Sequence, residues 1–366
     1  MKKKVKKKVF FLIYIIILSI ILVTNHGIVS ELADMIFKTT QEQKPEHTIE
    51  YGKSEIVPSG IEVIFCPSQN CFNILNSSFS NAKKSIHCAL FELDEEELSN
   101  TLVKEQKQGI DVKLVIDGDY YNEDGLMPIK NSNISLVTDG ARKKFMHNKF
   151  CVIDNKSVIT GSMNPTQNGI YYNNNNILKI DSSYLARNYQ NEFEQLKSKK
   201  FGPSKISTLQ YNSIILLHNK TSSYHISSYF CPQDNCAKET LNVLNSAKKE
   251  ILFANFVLTL DEIEELLLLK EKEGLNIQGV IESRSVNLRG SRITDLMRNI
   301  SIVRDSNPKT MHHKVFVVDE EYVITGSMNP TASGTRYNDE NLLIIKNRGL
   351  ALKYKEEILK LIKNGK

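Results

Sequence analysis

The chain has 366 residues, 41% of them hydrophobic and 24% charged, an ordinary globular composition that excludes disordered, collagen-like and low-complexity classes and sets two domains as the default. Its 47 Lys and Arg against 42 Asp and Glu give a formal charge of +5, but Lys2, Lys3, Lys4, Lys6, Lys7 and Lys8 supply more than that excess, and the rest of the chain is close to neutral. Such a body argues against sequence-independent binding of nucleic acid over a broad basic surface, while leaving local basic patches open.

The lysines precede an apolar run from Val9 to Val23 that Thr24-Asn25-His26 closes. The run suits the core of a signal peptide and, extended by Val5 and by Gly27 to Val29, approaches the roughly 17 to 25 residues of a spanning helix. Ile28 and Val29 are bulky and Ser30 stands alone, so the cleavage signal is weak. Residues 1–30 are read as an uncleaved membrane anchor, with the lysines cytoplasmic and the body exported. Residues 31–58 are polar, contain Pro45 and Pro58, and read as a linker.

The remainder is an internal duplication. Phe65-Cys66-Pro67-Ser68-Gln69-Asn70-Cys71 returns as Phe230-Cys231-Pro232-Gln233-Asp234-Asn235-Cys236, and Met146-His147-Asn148-Lys149 returns as Met311-His312-His313-Lys314, both at an offset of 165. One offset at two distant places means that the unit is a domain. The halves are 59–200 and 224–366, joined by a linker at 201–223.

In chain order the first half shows β-rich runs at Ile61–Phe65, Ser85–Phe91, Val112–Ile116 and Phe150–Ile153. Helices are predicted over Asp94–Lys107 and, in the second half, Asp261–Glu273, each opened by an Asp able to cap it and closed before Gly109 or Gly274. The expected fold class is α/β, with two homologous α-β-α sandwich halves, each a mixed sheet flanked by helices, packed as a pseudo-two-fold pair behind one N-terminal membrane helix.

The duplication is densest around His147-x-Lys149-x4-Asp154 with Gly161-Ser162-Met163-Asn164, and His312-x-Lys314-x4-Asp319 with Gly326-Ser327-Met328-Asn329. Residues two apart on a strand share a face, so each half offers an imidazole and an ammonium together. Two such sets, joined by Asn164 and Asn329, suit a phosphodiester. Ammoniums and amides hold the non-bridging oxygens, while one histidine attacks and the other protonates the leaving oxygen. This chemistry needs no metal or other cofactor.

At these residues the chain resembles the phospholipase D superfamily, whose signature is His-x-Lys-x4-Asp followed by Gly-Ser-x-Asn. The resemblance implies a phosphodiester hydrolase working through a phosphohistidine. It gives His147, Lys149, Asn164, His312, Lys314 and Asn329 catalytic roles and Asp154, Asp319, Ser162 and Ser327 supporting ones. The family's acidic residue after the Asn block is matched by Glu340, whereas the equivalent position in the first half is Asn175. Glu340 is therefore expected to partner His312 and make it the proton donor, with Asn175 orienting His147 as nucleophile.

The duplicated Cys66/Cys71 and Cys231/Cys236 read as one local disulfide per half, or as a shared zinc site. Cys88 and Cys151, in apolar runs, read as buried small hydrophobes. The substrate expected is a phospholipid, cut by a membrane-tethered hydrolase of the phospholipase D or cardiolipin hydrolase type. The rivals are a tethered or secreted endonuclease, for which Arg284, Arg289 and Arg292 are candidate backbone contacts, and, more remotely, a phosphatidyltransferase. A monomer containing its own pseudo-dimer is expected.

Overall fold

The computed structural model describes residues 50, 52–57, 60–140, 142–219, 222–288 and 292–366. The expected membrane anchor lies outside them; among the described residues no helix is long and apolar enough to cross a membrane. The first half runs β1 (Lys53–Ile56), β2 (Ile61–Cys66), α1 (Cys71–Ser80), β3 (Ser85–Leu90), α2 (Glu96–Lys107), β4 (Asp111–Ile116), α3 (Met127–Lys130), β5 (Ser135–Thr138), β6 (Lys149–Ile153), β7 (Ser157–Gly161), α4 (Gln167–Tyr171), β8 (Asn175–Asp181) and α5 (Ser183–Lys197). The second runs β9 (Ile214–Asn219), β10 (Ser222–Cys231), α6 (Cys236–Asn245), β11 (Glu250–Asn255), α7 (Asp261–Lys272), β12 (Asn276–Ile281), α8 (Ile293–Leu296), β13 (Ser301–Arg304), β14 (Lys314–Val318), β15 (Tyr322–Gly326), α9 (Ala332–Arg336), β16 (Glu340–Lys346) and α10 (Arg348–Asn364).

The first sheet has the order β2-β8-β7-β6-β3-β4-β5, and the second repeats that order from β10 to β13 and adds β1 and β9 at its β10 edge. The two segments read as linkers thus contribute strands: Lys53–Ile56 pairs in parallel with Ile214–Leu217. An edge strand with open backbone groups recruits whatever chain is in reach, and both segments pass the β10 edge.

The seam between the halves is apolar and symmetric. Phe65 meets Tyr354 edge-on at 5.1 Å and its equivalent Phe230 meets Tyr189 at 5.0 Å, both tyrosines being fully buried. Each such aromatic pair contributes about 0.5–1.5 kcal/mol beyond its area. Asn341 Nδ2 donates to Thr160 Oγ1 at 2.8 Å and Thr325 Oγ1 to Asn176 Oδ1 at 3.1 Å across the same seam.

Two local expectations change. Asp94 does not cap α2; Glu95 is its N-cap, while Asp94 accepts the Gln167 N–H at 2.6 Å, a free donor in the first turn of α4. Asp261 is the first residue of α7 rather than its cap, which is Leu260. Gly109 and Gly274 do end their helices, at φ of +94° and +87°, where glycine carries no Cβ penalty.

Cys66–Cys71 and Cys231–Cys236 are disulfides with Cα atoms 5.8 and 5.7 Å apart, so the shared zinc site is not formed. Cys88 and Cys151, expected as free hydrophobes, are bonded as well. The reason is register: β3 pairs antiparallel with β6, and Cys88 lies directly opposite Cys151, with Cα atoms 4.1 Å apart.

Asp154 and Asp319 stand behind the sheets in tight left-handed turns, at φ of 55° and 53°. The Asp154 carboxylate accepts the backbone N–H groups of Lys83, Lys84 and Ser85, and Asp319 those of Lys248, Lys249 and Glu250. Asp154→Ala and Asp319→Ala will each lower stability by about 1–3 kcal/mol through the orphaned donors. Urea titration measures this, and an undiminished midpoint in both variants refutes the role.

Candidate active site

Strand β6 begins at Lys149 and β14 at Lys314, so His147 and His312 lie on the chain just entering a central strand of each sheet. Each lysine folds back on its own motif: Lys149 Nζ donates to the His147 carbonyl at 2.9 Å and Lys314 Nζ to the His312 carbonyl at 2.8 Å. Both ammoniums lie over a ring, Phe91 at 4.9 Å and Phe256 at 5.0 Å. The same rings pack edge-on against His147 at 4.6 Å and His312 at 4.9 Å, which limits the imidazoles' rotation. A cavity of about 690 Å³ is lined by His147, Asn164, His312 and Asn329 together. The two motifs therefore serve one site.

The contacts across the halves are crossed. His147 N donates to Asp339 O at 2.9 Å, and His312 N donates to Asn174 O at 2.8 Å. These parallel bridges lay each histidine segment beside the last strand of the other half. In consequence Glu340 Oε2 lies 2.7 Å from His147 Nδ1, and Asn175 Oδ1 lies 3.0 Å from His312 Nδ1. This corrects the expected pairing: equivalence along the repeat does not say which half's strand faces which motif, and the dyad exchanges them.

The hydrogen bonds also fix proton positions. Asn175 Nδ2 donates to Gly169 O at 3.0 Å and Ser162 Oγ donates to Asn175 Oδ1 at 2.9 Å, so the oxygen faces His312, whose Nδ1 must carry a proton. Glu340 accepts from Ser327 Oγ at 2.7 Å and Asn338 Nδ2 at 3.3 Å, donors that favour its ionised form against the burial that opposes it; as a carboxylate it takes the His147 proton on Nδ1.

The electrostatics are those of a hole shaped for an anion. Burial, then Lys149, Lys314 and His312, hold His147 well below the usual histidine range. His312 is held low by burial, Lys314 and Lys149. Burial brings Lys149 down to about 7, and burial and Lys149 push Lys314 well below the usual lysine range. Glu340 is raised to about 8 by burial, against the pull of Lys149, Ser327 and Asn338. A phosphate placed among these groups restores their positive charge and is held by it.

Three further features were not read from the sequence. Glu92, after β3, accepts from Asn164 Nδ2 at 3.1 Å and lines the cavity, where its equivalent is Val257. Buried Lys205, from the segment between the halves, pairs with Glu192 and with Asp339 at 2.8 Å, fastening the residue that bridges to His147. Asp117 and Glu282 each accept the N–H of the methionine before a motif histidine, Met146 and Met311, both at 2.8 Å. The duplication carried a signal for this last pair, because both equivalents are acidic. Of the three arginines singled out, Arg284 lines the cavity, Arg292 pairs with Glu265, and Arg289 lies outside the described residues.

A family profile described as "Cardiolipin synthase, PLD-like domain" matches twice, over residues 75–197 and 240–362. The chain belongs to this phospholipase D-like family, and with two such domains around one site it is a phosphodiester-cleaving hydrolase. It is 28% identical over 160 residues to a protein named phospholipase D from Rickettsia felis, covering 43% of this chain and 78% of the relative. It is 29% identical over 147 residues to a mitochondrial cardiolipin hydrolase of Xenopus laevis, covering 39% of this chain and 70% of the relative. Among solved structures, phosphatidylserine synthase of Haemophilus influenzae shares the fold at a TM-score of 0.63 and 14% identity, over 85% of this chain and 90% of that one.

Proposed function

We propose that this protein hydrolyses phospholipid diesters by way of a phosphohistidine on His147. The carrying observation is the single cavity lined by both histidines and both asparagines, with a lysine beneath each histidine. His147 Nε2 attacks phosphorus; the P–N bond forms as the P–O bond to the departing alcohol breaks, and His312 Nε2–H gives its proton to that oxygen. Water then enters from the His312 side, loses its proton to His312, and expels His147. Lys149, Lys314, Asn164 and Asn329 hold the non-bridging oxygens.

The crossed pairing supports these roles by a different argument from the sequence-based one. Glu340 keeps the His147 proton on Nδ1, aims the Nε2 lone pair at phosphorus and stabilises the cationic phosphohistidine. Neutral Asn175 orients His312 without trapping its proton. The aromatic wall of Phe91, Tyr120 and Phe145 beside His147 and the relatives named phospholipase D and cardiolipin hydrolase favour a lipid. Three disulfides fit an exported body, held at a membrane by the N-terminal apolar run.

A nuclease reading has one observation of its own. Lys309 lies 5.4 Å over the exposed ring of Tyr172, and Lys144 lies 4.9 Å over that of its equivalent Tyr337, pairs that suit a single strand. The two readings separate when the full chain in detergent is given phospholipid vesicles and single-stranded DNA side by side in EDTA. Headgroup release that persists in EDTA, with intact DNA, is expected. Cut DNA with inert vesicles would establish the nuclease.

A further inference from the structure

The duplication breaks as a block around the two crossed bridges. Asp339, whose carbonyl accepts the His147 N–H, corresponds to Asn174, whose carbonyl accepts the His312 N–H. Arg142, on the chain leading into His147, corresponds to Asn307. Each pair meets: Arg142 Nη1 donates to Asp339 Oδ2 at 2.9 Å, and Asn307 Nδ2 donates to Asn174 Oδ1 at 2.6 Å. One contact therefore recurs at both bridges, charged beside His147 and neutral beside His312.

The charged version is built into a larger buried cluster. The other Asp339 oxygen accepts the Gly202 N–H at 2.7 Å and lies 2.8 Å from Lys205 Nζ, both from the segment joining the halves. That segment passes so close that a Cβ on Gly202, at φ of +56°, would stand 2.9 Å from Arg142 Nη2 and 3.0 Å from Tyr337 O. Lys205 also pairs with Glu192 of α5, whose second oxygen accepts from Gln233 Nε2 at 2.8 Å. The side chains of Asp339, Lys205 and Glu192 are fully buried. Burial works against the Lys205 charge, yet Glu192 and Asp339 hold it above the usual lysine range, so the bonds to it are charge-assisted. None of Arg142, Lys205 and Asp339 is among the residues that line the cavity.

From this asymmetry we infer that Arg142, Lys205 and Asp339 are positioning residues for the attack, holding the His147 bridge rigid so that Nε2 meets phosphorus on a fixed line. The inference rests on His147 being the nucleophile. The Asp339 carbonyl fixes the His147 backbone and the next residue, Glu340, fixes its ring, so a shift at Asp339 moves both holds at once. The clamp on Asp339 comes from two separate stretches of chain, and displacing the carboxylate would strip buried cations of their partner. Attack needs such a clamp, because a nucleophile misplaced by about 1 Å can lose about a hundredfold in rate. His312 has a looser task. It gives a proton to the departing oxygen and takes one from an arriving water, and the neutral amide contact at its bridge lets the ring follow both.

In the full chain carrying His312→Ala, bis(p-nitrophenyl) phosphate isolates the attack, because nitrophenolate leaves without an acid. Adding Arg142→Asn/Asp339→Asn to this parent gives the His147 bridge the pair that the His312 bridge carries. The first equivalent of p-nitrophenol is then expected to appear at least about tenfold more slowly, with the half-saturating concentration within about twofold of the parent's. Arg142→Lys, which keeps a charged contact to Asp339, should keep most of the rate. Lys205→Met/Glu192→Gln leaves Arg142 on Asp339 and should slow the same step, which covers the case of a pair variant too unstable to assay. Thermal melts establish that each variant is folded. A parent-like rate in the folded variants, a loss confined to the half-saturating concentration, or Arg142→Lys no faster than the pair variant overturns the inference. If the parent itself releases no first equivalent, the nucleophile assignment falls and the inference with it.

Discussion

In the full chain carrying His312→Ala, bis(p-nitrophenyl) phosphate will release about one equivalent of p-nitrophenol per site and then stall, with the phosphoryl group retained on His147. Nitrophenolate leaves without protonation, so the first step survives loss of the acid, whereas hydrolysis of the phosphohistidine needs His312 to take a proton from water. With an alkyl leaving group both steps need His312, and turnover should fall by about 10²–10⁴-fold, the usual worth of a positioned acid or base. His147→Ala should give no burst on either substrate. Acid-labile, base-stable label on the His312→Ala protein identifies the intermediate. A burst from His147→Ala and none from His312→Ala would reverse the roles.

Glu340→Gln is expected to cost about 10³–10⁴-fold in kcat, the scale on which a histidine in the wrong tautomer fails. The glutamine amide can present its N–H to His147 Nδ1, which moves the imidazole proton to Nε2 and points it at phosphorus. The change is nearly isosteric, and Ser327 and Asn338 remain beside it, so thermal stability should change little. Asn175→Asp makes the reciprocal test. A carboxylate at His312 Nδ1 raises the imidazolium pKa, which strengthens the acid's hold on its proton and shifts the alkaline limb of kcat/KM upward. An unaltered limb in Asn175→Asp, with near-normal kcat in Glu340→Gln, would remove both residues from the proton relay.

Much of this protein was legible from one sequence because it contains its own alignment. The offset of 165 aligned the two halves, and the duplicated motifs pointed to His147, Asn164, His312 and Asn329, which line one cavity. Strand patterning located β3, β4 and β6 within a residue or so, since β3 and β6 are buried along their whole length and β4 is buried over Leu114 to Ile116. Turn chemistry gave the ends of α2 and α7 through Gly109 and Gly274.

What the tertiary structure decided was pairing. Cys88 and Cys151 are each visible in a strand, but only the β3–β6 register sets them opposite; at the equivalent positions Phe253 and Phe316 pack together instead, at 5.9 Å. Glu340 and Asn175 are each visible as variants of one position, but the dyad hands Glu340 to His147 and Asn175 to His312. Glu92 falls between the predicted strand ending at Phe91 and the predicted helix starting at Asp94 and carries no local signal, because its importance comes from the cavity that Asn164 and His147 line with it. Sequence determines which groups are carried and how they are spaced along the chain, since local periodicity and repetition are properties of neighbours. Contacts at separations such as the 193 residues between His147 and Glu340 follow from strand order and from how two sheets pack, and there the chemistry of the site is assigned.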